Sequence, residues 1–170
     1  MVVPVLAFTL CIASVVQNLD SNPVQFSGLH FSAEDEGIKN AVPIPEDVWS
    51  LLKQDGDVLE VLKHQSPTAT TPPRTWFSAA FVHLHGAIGN DLVVQGEGPM
   101  MGANVTEFWV FAETSRGPKL VLRIPAHDLL IRQTESGGYR IIEASAITAA
   151  AHVSTLTYKF DGNHYVRSRK

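Results

Sequence analysis

KLVLRI, residues 119–124, places Leu120, Leu122 and Ile124 on one parity and Lys119, Val121 and Arg123 on the other. Side chains of an extended chain alternate between two faces, so this pattern predicts a half-buried antiparallel strand. Working outward, the neighbouring runs are WFSAAFVHLH, DLVVQ, EFWVFAE, LLIRQT, YRIIEA, STLTYKF and HYVR, separated by the turn-forming stretches GAIGN, GEGPMMGANV, SRGP, PAHD, ESGG and DGN. In YKFDGNHYV the pair Asp161–Gly162 can supply the positive φ of a tight hairpin. The sum is about seven or eight strands at roughly ten-residue spacing, which predicts an antiparallel sheet folded into a sandwich or a partly open barrel.

Upstream, Pro43 and Pro45 mark a boundary, and Glu46 and Asp47 suit the positive end of a helix dipole. EDVWSLLKQDGDVLEVLKHQ therefore reads as a helical segment over about 45–65, with Val48, Leu51, Leu52, Leu59 and Leu62 as its apolar stripe. Gly56 costs about 1 kcal/mol relative to Ala inside a helix and can divide the segment in two. SPTATTPPR, residues 66–74, carries Pro67, Pro72 and Pro73 and reads as an exposed connection, while VQFSGLHF before the helix can hold one short strand. The expected class is α+β, predominantly antiparallel β, behind one helical segment.

The 170 residues are 45% hydrophobic, enough for one ordinary domain with a core, expected over 23–170. Lys and Arg number 13 against 17 Asp and Glu, for a formal charge of -4, so the basic field that nucleic acid or an anionic membrane requires is missing. Arg167, Arg169 and Lys170 at the end of the chain read as a frayed tail. MVVPVLAFTLCIASVV at the start has the length of a signal-peptide apolar region and falls short of the roughly 20 apolar residues that span a bilayer, so 1–22 is expected to be a leader. Cys11 lies inside it, preceded by Phe8, Thr9 and Leu10 instead of the small residues of a lipoprotein signal. Removal of the leader leaves no thiol, which excludes disulfides, zinc–thiolate sites and cysteine catalysis from the mature chain.

GANVTEFWVF (102–111), GGYRIIEAS (137–145) and YKFDGNHYV (158–166), in this order, resemble a group of small exported bacterial proteins of unknown function. The resemblance covers roughly residues 76–166, and it implies export and a β-rich fold without bringing an activity. In that group an Asp commonly follows the Arg of the glycine–aromatic–Arg stretch, where this chain has Ile141.

FVHLHG, residues 81–86, sets His83 and His85 on one face of a strand, about 6.5 to 7 Å apart at Cα. Such a pair can place two imidazoles on zinc or another divalent metal, with His127 as the candidate third ligand; His152, Asp91 and Glu97 are further donors. The glycine-rich GEGPMMGAN fails as a phosphate cradle, because Met101 replaces its last glycine and a strand follows it instead of a helix. No G-x-S-x-G elbow occurs, and the sequence marks no catalytic residue. Strand aromatics fall on both parities, so either both sheet faces are covered or some aromatics are exposed; Trp109, Tyr139 and Tyr165 are the candidates for an interaction surface.

The function expected from these residues is an exported, periplasmic or extracellular, small binding or interaction protein. It would use no cofactor, and its ligand would be a protein or a small molecule. The alternatives are a metal-binding protein or metal-dependent hydrolase using His83 and His85, and an inhibitor or immunity-type partner of a cell-envelope enzyme.

Overall fold

The computed structural model describes residues 29–86, 90–147 and 152–169. The expected leader and Cys11 lie outside the described residues. In chain order the elements are β1 (Leu29–Ser32), α1 (Glu46–Leu52), α2 (Gly56–Gln65), β2 (Phe77–Val82), β3 (Asp91–Gly96), β4 (Thr106–Thr114), β5 (Gly117–Ala126), β6 (Asp128–Ser136), β7 (Tyr139–Ile147), β8 (Val153–Phe160) and β9 (Tyr165–Arg167). All strand pairings are antiparallel, in a 4-stranded sheet of order β2-β3-β4-β5 and a 5-stranded sheet of order β1-β6-β7-β8-β9. No barrel closes, and the fold is the predominantly antiparallel class the sequence predicts.

The sheets stack face to face, and the two helices cover the far face of the four-stranded sheet. Alternation along β4 shows why: Phe108, Val110 and Ala112 enter the core between the sheets, while Trp109 and Phe111 enter a second core under the helices with Val48, Trp49, Leu52 and Val58. β3 is therefore buried along its whole length. The chain passes between sheets at His127, the single residue between β5 and β6, whose N–H donates to the Ser145 carbonyl at 2.7 Å.

The helical segment is two helices, the division that Gly56 allows: α1 stops at Leu52 and Asp55 caps α2, its carboxylate accepting from the N–H groups of Asp57 and Val58. Two finer expectations need correction. The break shifts the phase, so Leu51 and Leu59 are exposed at 43% and 40% while Trp49 and Val58 are buried in their place. KLVLRI, in turn, does not alternate cleanly. Val110 faces Leu122 and Phe111 faces Leu120, so Val121 is the extra residue of a β-bulge. Val121 and Leu122 both enter the core between the sheets, and Leu120 turns outward.

Candidate functional site

His83 and His85 follow β2, and Val82 before them and Leu84 between them enter the core between the sheets. His85 stacks on Tyr139 with ring centroids 4.6 Å apart, Tyr139 stacks on Phe160 at 3.9 Å, and Phe160 meets Tyr165 edge-on at 5.5 Å. His85 Nδ1 lies 3.5 Å from Asp91 Oδ2. The fully buried Asp91 accepts hydrogen bonds from the N–H groups of Leu84 (2.8 Å) and Glu113 (2.9 Å), so it ties the segment after β2 to the end of β4. His127 stands elsewhere: its Nδ1 donates to the Asn104 carbonyl at 3.0 Å, and its Nε2 is 3.6 Å from Glu34 Oε1. Among the described residues no three His, Cys, Asp or Glu side chains gather closely enough to hold a metal ion, so His83, His85 and His127 do not form one site.

The expected aromatic surface is also corrected. Trp109 is fully buried under the helices, where its Nε1 donates to Asp55 Oδ2 at 3.1 Å. Tyr165 is buried, its hydroxyl donates to the Arg140 carbonyl at 2.8 Å, and burial together with the charges of Asp91 and Tyr139 pushes its phenol up. Tyr139 is half-buried within the aromatic stack. The helices and the second sheet cover both faces of the four-stranded sheet over β3 and β4, which buries Phe108, Trp109 and Phe111, while Phe81 of β2 stays exposed.

Two polar clusters hold side chains of catalytic type. On the outer face of the five-stranded sheet, His30 Nε2 lies 3.0 Å from Asp128 Oδ1, and Ser145 Oγ donates to Asp128 Oδ2 at 2.8 Å. Burial would raise the Asp128 carboxyl, but hydrogen bonds from Ser145, Ser32 and His30 outweigh it and hold the group below the usual carboxylate range. Activating a serine requires the imidazole between serine and carboxylate; here the carboxylate is central, so the cluster orders the sheet without preparing a nucleophile. At the junction of helices and sheet, Arg123 contacts Glu107 at 2.9 Å, Asp55 at 3.4 Å and also Asp57. Burial and the charge of Asp55 push the Glu107 carboxyl up to about 7.

A further concavity lies at neither cluster. A groove of about 830 Å³ runs along β8 and β9, where Thr155, Leu156 and Thr157 face Lys159, Arg167 and Arg169. Among the described residues no carboxylate lines it and none forms an ion pair with these three cations. Of the residues expected in a frayed tail, Arg167 ends β9 and lines the groove, and Arg169, beyond the strand, lines it too. A signal for this was present in the sequence: STLTYKF is longer than its hairpin partner HYVR, so part of the longer strand must outrun its cover.

The fold and groove define a class: a two-sheet antiparallel protein with helices on one sheet and a cationic groove at an edge of the other. No protein-family model, curated protein or solved structure matches the chain.

Proposed function

We propose that this chain is an exported binding protein that holds an anionic ligand in the groove along β8 and β9. The observation that carries the reading is the charge of the groove. Lys159, Arg167 and Arg169 share one concavity without a carboxylate, in a chain whose formal charge is -4. Like charges repel, so gathering three of them on an acid-rich chain costs free energy unless an opposite charge arrives. A binding role is further supported by the carboxylate-centred arrangement of His30, Asp128 and Ser145, which is built for order and not for nucleophilic attack. Export is supported by the apolar run over residues 1–16 and by the resemblance to small exported bacterial proteins. Partnership with a cell-envelope enzyme is one form this binding can take.

The test is an amide chemical-shift titration with anionic ligands: a polycarboxylate, an acidic peptide and an acidic oligosaccharide. At least one should shift the β8 and β9 resonances saturably, and the double variant Lys159→Glu, Arg167→Glu should lose the effect. Shifts confined to other strands, or equal binding by the variant, would remove this reading.

A further inference from the structure

β9 covers only one end of β8. Tyr158, Lys159 and Phe160 pair with Arg167, Val166 and Tyr165, and the Ser168 N–H donates to the Thr157 carbonyl at 2.7 Å. Backbone groups alternate in direction along a strand, and in an antiparallel ladder one residue's N–H and C=O point the same way. Thr157 faces the β9 side, so Thr155 and Val153 present both groups to that side as well. Among the described residues no strand pairs with Val153–Leu156 there. The groove with Lys159, Arg167 and Arg169 lies along this edge.

The edges formed by β2, β5 and β1 are protected. Beside β2, the Val42 N–H donates to the Ala79 carbonyl and the Ile38 N–H to Ser78 Oγ, so a loop lies along the strand. β5 carries Pro118 and Pro125, which have no N–H to offer a neighbour, and β1 is 4 residues long. The open part of β8, VSTL, is free of proline and charge, and two of its four residues are β-branched. That composition invites another strand.

We infer that an extended, acidic peptide segment of a partner protein adds to the open edge of β8 as a further strand of the five-stranded sheet, its carboxylates meeting Lys159, Arg167 and Arg169. The inference rests on the binding reading above and names the partner's chemistry. The peptide backbone satisfies the N–H and C=O groups of Val153 and Thr155, and the cations select acidic side chains. The open stretch takes about four paired residues, about 14 Å of chain. Nucleic acid and lipid headgroups supply the charge but no peptide ladder. A second copy paired through the same edge would bring the same cations to one interface twice.

The experiment is calorimetric titration of the full chain with a capped peptide of about seven residues alternating threonine and glutamate, against the same peptide N-methylated at alternate positions. N-methylation removes the N–H groups that would bond to the edge and keeps every charge. The expected result is saturable binding to the plain peptide, weakened about tenfold or more by N-methylation and by Thr155→Pro. Thr155 does not use its N–H toward β7, so proline there should leave the sheet formed. Equal affinity for both peptides, or full affinity in a folded Thr155→Pro protein, would overturn the inference. If Thr155→Pro fails to fold, the two peptides decide alone. Binding of oligothymidine or phosphatidylglycerol vesicles without peptide binding overturns the strand addition and leaves the anionic groove standing, and binding of no anion removes both. Self-association in sedimentation that Thr155→Pro abolishes, without peptide binding, assigns the edge to a second copy and overturns the inference.

Discussion

Asp91 is fully buried and bonded to two backbone N–H groups from different parts of the chain, Leu84 and Glu113. Removing the carboxylate leaves both donors without an acceptor in the interior, and bonds to a charged acceptor contribute about 1.5–3 kcal/mol each. Asp91→Ala should therefore cost about 2–4 kcal/mol, read as a lower urea midpoint at an unchanged slope, with Asp91→Asn losing less because its amide oxygen still accepts. The neighbouring FVHLHG stretch takes its meaning from this anchor: His85 fills the space between Asp91 and the Tyr139 ring. Glu107 supplies the second prediction at this scale. Its folded pKa, about 7, lies above the ordinary glutamate value of 4.5, so between these values the folded protein keeps a proton that the unfolded chain has released. The sign follows from linkage. Stability from this group is highest below about pH 4.5, falls as pH rises through the window up to about 7, and is level beyond it. Urea midpoints across that window should fall with pH in the native protein and lose much of this slope in Glu107→Gln; equal slopes would refute the shift.

Elements show where local sequence suffices and where it does not. The strand runs and their turns were legible because period-two alternation and Gly, Asp and Asn clusters act over a few residues, as in the DGN turn, where Gly162 has φ +104 and Asp161 accepts from the N–H groups of Asn163 and His164. The bulge at Val121 was not legible, since inserting one residue into a ladder is a choice made by the partner strand β4. The helix stripe held at Val48, Leu52 and Leu62 but not at Leu51 and Leu59, for a similar reason: the break before Gly56 resets the helical phase, and each helix then takes its own orientation over Trp109 and Phe111. The groove is a property of a pair, read from the unequal lengths of β8 and β9 and not from any motif. A close approach at the end of β3 gives a further test. A methyl group on Gly96 would stand 2.7 Å from Met100 Cβ and 3.1 Å from Thr106 Oγ1, so Gly96→Ala must push the short 3-10 turn Gly98–Met100 outward. A loss of about 1–3 kcal/mol is expected, measurable as a reduced Tm.

At the scale of the whole molecule, three layers explain why strand aromatics of both parities are needed: each layer boundary has its own core, and β4 contributes to both. An exposed aromatic face and a covered one give the same strand sequence, which is why Trp109 and Tyr165 could not be assigned from sequence. The order of strands along the chain has another consequence. β2 to β5 and β6 to β9 are each a run of neighbouring hairpins, whereas β1 pairs with β6 across about a hundred residues, Leu29 with Ile131. Closing a loop of that size is paid in chain entropy before any contact repays it, so the two meanders should assemble early and β1 should dock late. In pulse-labelled refolding, amides of β7 and β8 should gain protection before those of β1. Until β1 arrives, β6 is a bare strand edge, and the refolding chain passes through a stage at which it is open to mispairing with its neighbours.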